Sequence, residues 1–142
     1  MPEDRHITET PLELNIKSNP ATLADARKRV ESYCQACGLD EAACCDVGLC
    51  LNEALANVMR HAYKGETDQP IKITAEALDD GVKISIRDWG NGVNPDAMPA
   101  RKKDLNTPGG LGLICLRSLL DDAEFLPQTD GMVLEMIKRK GK

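Results

Sequence analysis

An α+β fold, a two-layer α/β sandwich with three helices on one face of a mixed, mostly antiparallel sheet, is predicted by three observations. Apolar residues alternate at period two in four short runs, they recur at helical spacing in three longer segments, and neighbouring strand runs come mainly as hairpins. The chain of 142 residues is read as one domain spanning 1–142, large enough to bury a real core.

The first run, "LELNIK" at 12–17, alternates Leu12, Leu14 and Ile16 with polar partners, the period of a half-buried strand. Ser18 or Asn19 before Pro20 then signals a helix entry. Leu23, Ala26, Val30 and Tyr33 keep helical spacing, and Gly38 stops the helix. A second, long helix is expected from about Asp40, which can cap its start, to Tyr63; Val47, Leu51, Leu55, Val58, Met59 and Ala62 form its apolar stripe. After the loop "KGETDQP", Ile71, Ile73, Ala75 and Ala77 alternate, as do Val82, Ile84 and Ile86 beyond the turn "LDDG", so the two runs make a hairpin. Periodicity is lost from Trp89 to Pro108, a loop longer than connection alone requires. "GLGLICLRSLLDD" restores helical spacing, and "AEFLPQTDGMVLEMIKRK" reads as a closing hairpin turning at "TDG".

Composition narrows the function classes. Aromatics are only 3% of residues, which argues against a stacking platform for single-stranded nucleic acid. A net charge of −5 and a pI near 5.0 argue against a general phosphate-backbone binder. The sequence shows no apolar run of transmembrane length and no signal-peptide pattern at "MPEDRHITET", so a cytoplasmic location without membrane or direct nucleic-acid partners is expected. The six cysteines, Cys34, Cys37, Cys44, Cys45, Cys50 and Cys115, include one C-x-x-C, but no second well-separated pair completes a zinc pattern. All but Cys115 fall in helical segments, where a free thiol serves as a small buried apolar group.

Three motifs carry possible chemistry. Asp88 closes a strand whose alternation puts it on the same inward side as Val82, Ile84 and Ile86, and a carboxylate there must find a donor. Gly90 and Gly92 follow, where missing side chains permit a sharp turn and close approach of a ligand; the same D-x-G-x-G pattern also serves as a surface turn. On the second helix Glu53, Asn57 and His61 are spaced four apart and share one face. That face is either a solvated stripe or a site where Asn57 offers an oxygen to Mg²⁺ and Glu53 orients or deprotonates a nucleophile. The third motif, "TPGGLGL" at 107–113, opens into a helix, so that backbone amides of Gly110, Leu111 and Gly112 form a natural phosphate cradle; helix packing is the other use of such glycines. No Lys-Ser/Thr pair follows, so it is not a P-loop.

In this order, on a helix, a strand end and a helix start, the motifs resemble the GHKL ATP-binding domain of gyrase and sensor histidine kinases, with E-x-x-x-N as N box, D-x-G-x-G as G1 and the glycine turn as G2. The fold implied is the Bergerat ATP-binding fold. Within that superfamily the N box ending in "HAY", the compact G1 and the "GLGL" helix are similar to the bacterial anti-sigma factors that are also serine kinases, of the RsbW and SpoIIAB type.

The resemblance implies ATP and Mg²⁺ as cofactors. Asp88 would accept the adenine amino group, Gly90 and Gly92 would let the base lie close, and Asn57 would ligate Mg²⁺. The segment Thr107, Gly109, Gly110, Leu111 and Gly112 would hold phosphates under a lid of residues 93–108, His61 would border the nucleotide, and Glu53 would be the catalytic base. It further implies phosphorylation of a serine on an anti-anti-sigma (STAS) partner, sequestration of a sigma factor, and a homodimer. The alternatives are a nucleotide-dependent binding module without phosphotransfer and a catalytic domain related to sensor histidine kinases. One departure stands out: the superfamily often has Gly-Thr after the closing turn, whereas Met132 follows Gly131 here, which implies weaker base affinity.

Overall fold

A computed structural model of the chain describes residues 10–90 and 118–140. Strand β1 (Leu12–Lys17) leads into a 3₁₀ turn (Pro20–Thr22) and helix α1 (Leu23–Ala36). Helix α2 (Glu41–Asn57) runs on through a π-helical turn (Val58–Ala62), and β2 (Pro70–Leu78) pairs with β3 (Gly81–Asp88) across a two-residue turn. The hairpin of β4 (Asp122–Gln128) and β5 (Gly131–Arg139) completes the sheet.

The five strands lie in the order β1-β2-β3-β5-β4, and every neighbouring pair is antiparallel. The α+β class is therefore as expected, but the mixed sheet is corrected: strands joined as hairpins pair antiparallel, and β5 returns beside β3 in that same sense. Among the described residues there are two α-helices; the expected third falls mostly on residues outside the described ones.

Local sequence explains each helix start. Asn19, rather than Ser18, caps the first helical segment, its Oδ1 accepting the Ala21 N–H at 2.9 Å. Ser18 instead accepts the Gln69 N–H at 2.9 Å and donates to the Glu66 carbonyl at 2.7 Å, tying the end of β1 to the loop before β2. Asp40 caps α2 through the Ala43 N–H at 2.8 Å.

The core lies between the helices and one face of the sheet. Val30 and Cys34 of α1 and Val47, Leu51 and Leu55 of α2 pack with Ile71, Ile73, Ile84, Ile86 and Met136, all at 1% exposure or less. Glu41–Ala62 has the length and mean hydropathy, 1.2, of a membrane-crossing helix, although no such run was expected from the sequence. Most of its large apolar residues, among them Val47, Leu51, Leu55 and Met59, are in the core, while Leu49 is exposed.

Cys34, Cys44 and Cys50 are buried in this core, and burial pushes the Cys34 thiol up to about 12. Among the described residues no disulfide joins two cysteines and no cluster could hold a metal ion. Cys115 lies outside the described residues.

Candidate functional site at the end of β3

The sheet brings one polar group into its buried face. Asp88, the last residue of β3, is paired with Ile71 at the head of β2 and Met132 at the head of β5, so it sits where three strands meet at one end of the sheet. It is only 3% exposed. The alternation that buries Val82, Ile84 and Ile86 carries it inward with them.

Its Oδ1 accepts the backbone N–H of Gly90 at 3.0 Å. Burial raises the Asp88 carboxyl above its ordinary value, while the amides of Gly90 and Met132 and the neighbouring Arg87 cation oppose that rise. Two carboxylate oxygens offer about four acceptor positions, so those amides leave capacity for a ligand's N–H.

The turn after Asp88 lies against the end of the long helix. A Cβ on Gly90 would come within 2.3 Å of the Ala62 carbonyl oxygen, so close packing alone demands glycine there, besides any ligand. Gly131 is equally constrained, with φ +142 and a built Cβ 2.0 Å from the Asp88 carbonyl oxygen. Trp89 is 39% exposed, with the Arg87 guanidinium 4.7 Å from its ring centre and Arg87 paired to Asp130 at 2.6 Å.

On α2, Glu53 and Asn57 are one turn apart and half-buried. The Asn57 Oδ1 accepts from the Arg60 guanidinium at 2.8 Å, so this oxygen already faces a cationic group. His61 falls in the π turn and is exposed. Gly92, Thr107, Gly109, Gly110, Leu111 and Gly112, with the lid of residues 93–108, lie outside the described residues.

Sequence reading passed over one side chain that organises this end of the sheet. Tyr63, read from the sequence as the end of the second helix and the last letter of "HAY", is 5% exposed; its hydroxyl donates to the Pro70 carbonyl at 2.5 Å and accepts the Trp89 N–H at 2.8 Å. A tyrosine directly after a buried helix, in a chain with so few aromatics, was the available signal: its hydroxyl had to find a partner.

Residues 16–138 match the family model described as histidine kinase-like ATPase domain. The serine-protein kinase RsbW of Listeria innocua is 26% identical over 136 residues, covering 88% of this chain and 84% of that protein. The same-named protein of Staphylococcus epidermidis is 30% identical over 102 residues, covering 66% of this chain and 64% of its own length. Among solved structures, the RsbU and RsbW domains of a Mycobacterium tuberculosis protein superpose with a TM-score of 0.67 at 19% identity, over 92% of this chain and 32% of that one. A histidine kinase domain from Erythrobacter litoralis gives 0.56 at 15% identity, over 84% and 60%.

Proposed function

Because this chain belongs to the histidine kinase-like ATPase domain family, we propose that it binds Mg-ATP and transfers the γ-phosphoryl group to a serine of an anti-anti-sigma (STAS) protein. In its other state it sequesters a sigma factor, so that the two partners exchange; the working unit is a homodimer in the cytoplasm. The observation that carries the reading is the buried Asp88 carboxylate at the strand end, held by Gly90, with E-x-x-x-N on the adjacent helix. The names of the RsbW relatives support the serine-kinase part.

Each residue has a defined task in this reading. Asp88 accepts the exocyclic amino group of adenine, a polar contact in an otherwise apolar setting that fixes the base. Asn57 provides the oxygen for Mg²⁺, a hard cation that takes oxygen ligands, and the Arg60 guanidinium that now donates to this oxygen gives way to the metal. The bound metal supplies charge neutralisation on the phosphates.

Glu53 accepts the proton of the attacking serine hydroxyl as the new O–P bond forms, while the bond from the γ-phosphorus to the bridging oxygen breaks and ADP departs with that electron pair. Residues 107–112 hold the phosphates, and His61 borders the nucleotide. With most of the catalysis in positioning and electrostatics, no covalent enzyme intermediate is needed.

The test is phosphotransfer from Mg-ATP to a purified STAS protein of the same organism, read as an added phosphate by intact-mass spectrometry. Wild-type protein should phosphorylate one serine, and Glu53→Ala should slow transfer about 10²- to 10⁴-fold, the usual contribution of a general base, while still binding Mg-ADP. Full activity in Glu53→Ala removes Glu53 from the base role. Nucleotide binding without transfer to any STAS protein would instead favour a binding module that switches partners.

A further inference from the structure

We propose that Tyr63 is a positioning residue: its hydroxyl locks the turn that aims the Asp88 carboxylate, and the π turn before it is the register device that delivers the hydroxyl there. The inference rests on the nucleotide reading for the identity of the ligand, and on the geometry alone for the lock.

A single oxygen joins three segments. The Tyr63 hydroxyl donates to the carbonyl of Pro70, the first residue of β2, and accepts the N–H of Trp89, the first residue beyond β3. The ladders of β3 end at the Asp88 pairs with Ile71 and Met132, so the Trp89 amide lies just past the last registered pair. The next amide, Gly90, is held by the Asp88 Oδ1. Two consecutive N–H groups are thus fixed by two side-chain oxygens, and the second of these bonds sets the orientation of the Asp88 carboxylate itself.

The π turn explains how the ring reaches this place. The Tyr63 N–H bonds the Val58 carbonyl at 2.9 Å, five residues back, so the hydrogen-bonded ring closes over one residue more than in an α-helix. An α-helix advances about 100° per residue, so continuing it without the extra residue would swing the Tyr63 side chain away by roughly that angle. The same turn presents the Ala62 carbonyl against which Gly90 packs. Burial raises the Tyr63 pKa further above its ordinary value and outweighs the opposing pull of the Trp89 amide, so the hydroxyl stays protonated.

The experiment compares wild type with Tyr63→Phe, which keeps the ring and removes the oxygen. Trp89 is the chain's only tryptophan, so its fluorescence reports this turn alone. In nucleotide-free protein the variant should show greater quenching of Trp89 by acrylamide, and its Kd for Mg-ADP should rise about tenfold, as for loss of a buried hydrogen bond. Unchanged quenching and unchanged affinity overturn the proposal.

If wild type itself takes no Mg-ADP, the nucleotide reading fails, and the quenching comparison alone decides the lock. A measurement needing no variant covers the case in which Tyr63→Phe does not fold. In wild type the Trp89 amide should exchange with solvent deuterium at least about a hundredfold slower than open chain, and exchange at the open-chain rate overturns the lock.

Discussion

At the scale of single residues, Asp88 combines an unfavourable location with a defined set of donors, and the balance makes a prediction about pH. Its carboxyl titrates above the ordinary range because burial disfavours the charge more than the Gly90 and Met132 amides and Arg87 favour it. Between the unfolded value near about 3.9 and the raised native value, the native state holds more protons than the unfolded chain. Stability therefore falls as pH rises through that window, and above it the cost is fully present. Asp88→Asn keeps an oxygen for the Gly90 N–H and removes the charge, so at pH 7 the variant should unfold a few degrees higher than wild type. The advantage should shrink as pH drops through the window and vanish below it, in paired thermal scans from pH 3 to 8. A difference that stays constant with pH would mean that the carboxylate costs nothing by being buried.

At the scale of elements, the packing of the β3 end on the α2 end sets the tolerance of the site to substitution. A methyl on Gly90 meets the Ala62 carbonyl at 2.3 Å and the Ala62 Cβ at 2.8 Å, neither of which is a flexible side-chain tip. Gly90→Ala should therefore destabilise by about 1–3 kcal/mol, the usual cost of overpacking, in urea unfolding at neutral pH. A change within error would show that the turn yields without cost. The strands were legible because period-two alternation survives wherever one face is buried: the β1 expectation at 12–17 coincides with Leu12–Lys17, and Asp88 was placed inward from Val82, Ile84 and Ile86. What alternation does not encode is strand order, which is set by long-range pairing such as Ile86 with Leu134. Nor does helical spacing distinguish an α turn from a π turn, because both preserve apolar residues such as Val58, Met59 and Ala62; only the bond from the Tyr63 N–H to the Val58 carbonyl separates them. His61, four residues beyond Asn57, lies in this π turn and is exposed.

At the scale of the whole molecule, the sheet face away from the helices carries ion pairs such as Lys72 with Glu13 at 3.3 Å and Lys83 with Glu76 at 3.9 Å, partly exposed contacts worth little to stability. Cohesion comes from the one core and from links that join distant segments, as when the Lys138 ammonium donates to the Leu119 carbonyl at 2.6 Å and meets Asp46 of α2 at 3.3 Å. A ligand seated at the β3 end would bind the folded chain and not the unfolded one, so it must raise the stability of the whole. At a free concentration of 100 Kd, Mg-ADP should add about 2.7 kcal/mol, a rise of roughly 10 °C in the unfolding midpoint for a chain of this size. Chelating the metal with EDTA should reduce the rise if Asn57 holds Mg²⁺, and Asp88→Asn should abolish it while gaining stability in the absence of nucleotide. These opposite effects of one substitution, higher intrinsic stability and no response to nucleotide, separate a binding carboxylate from a merely structural one. A structural Asp88 would give a variant that is less stable and still responds to Mg-ADP.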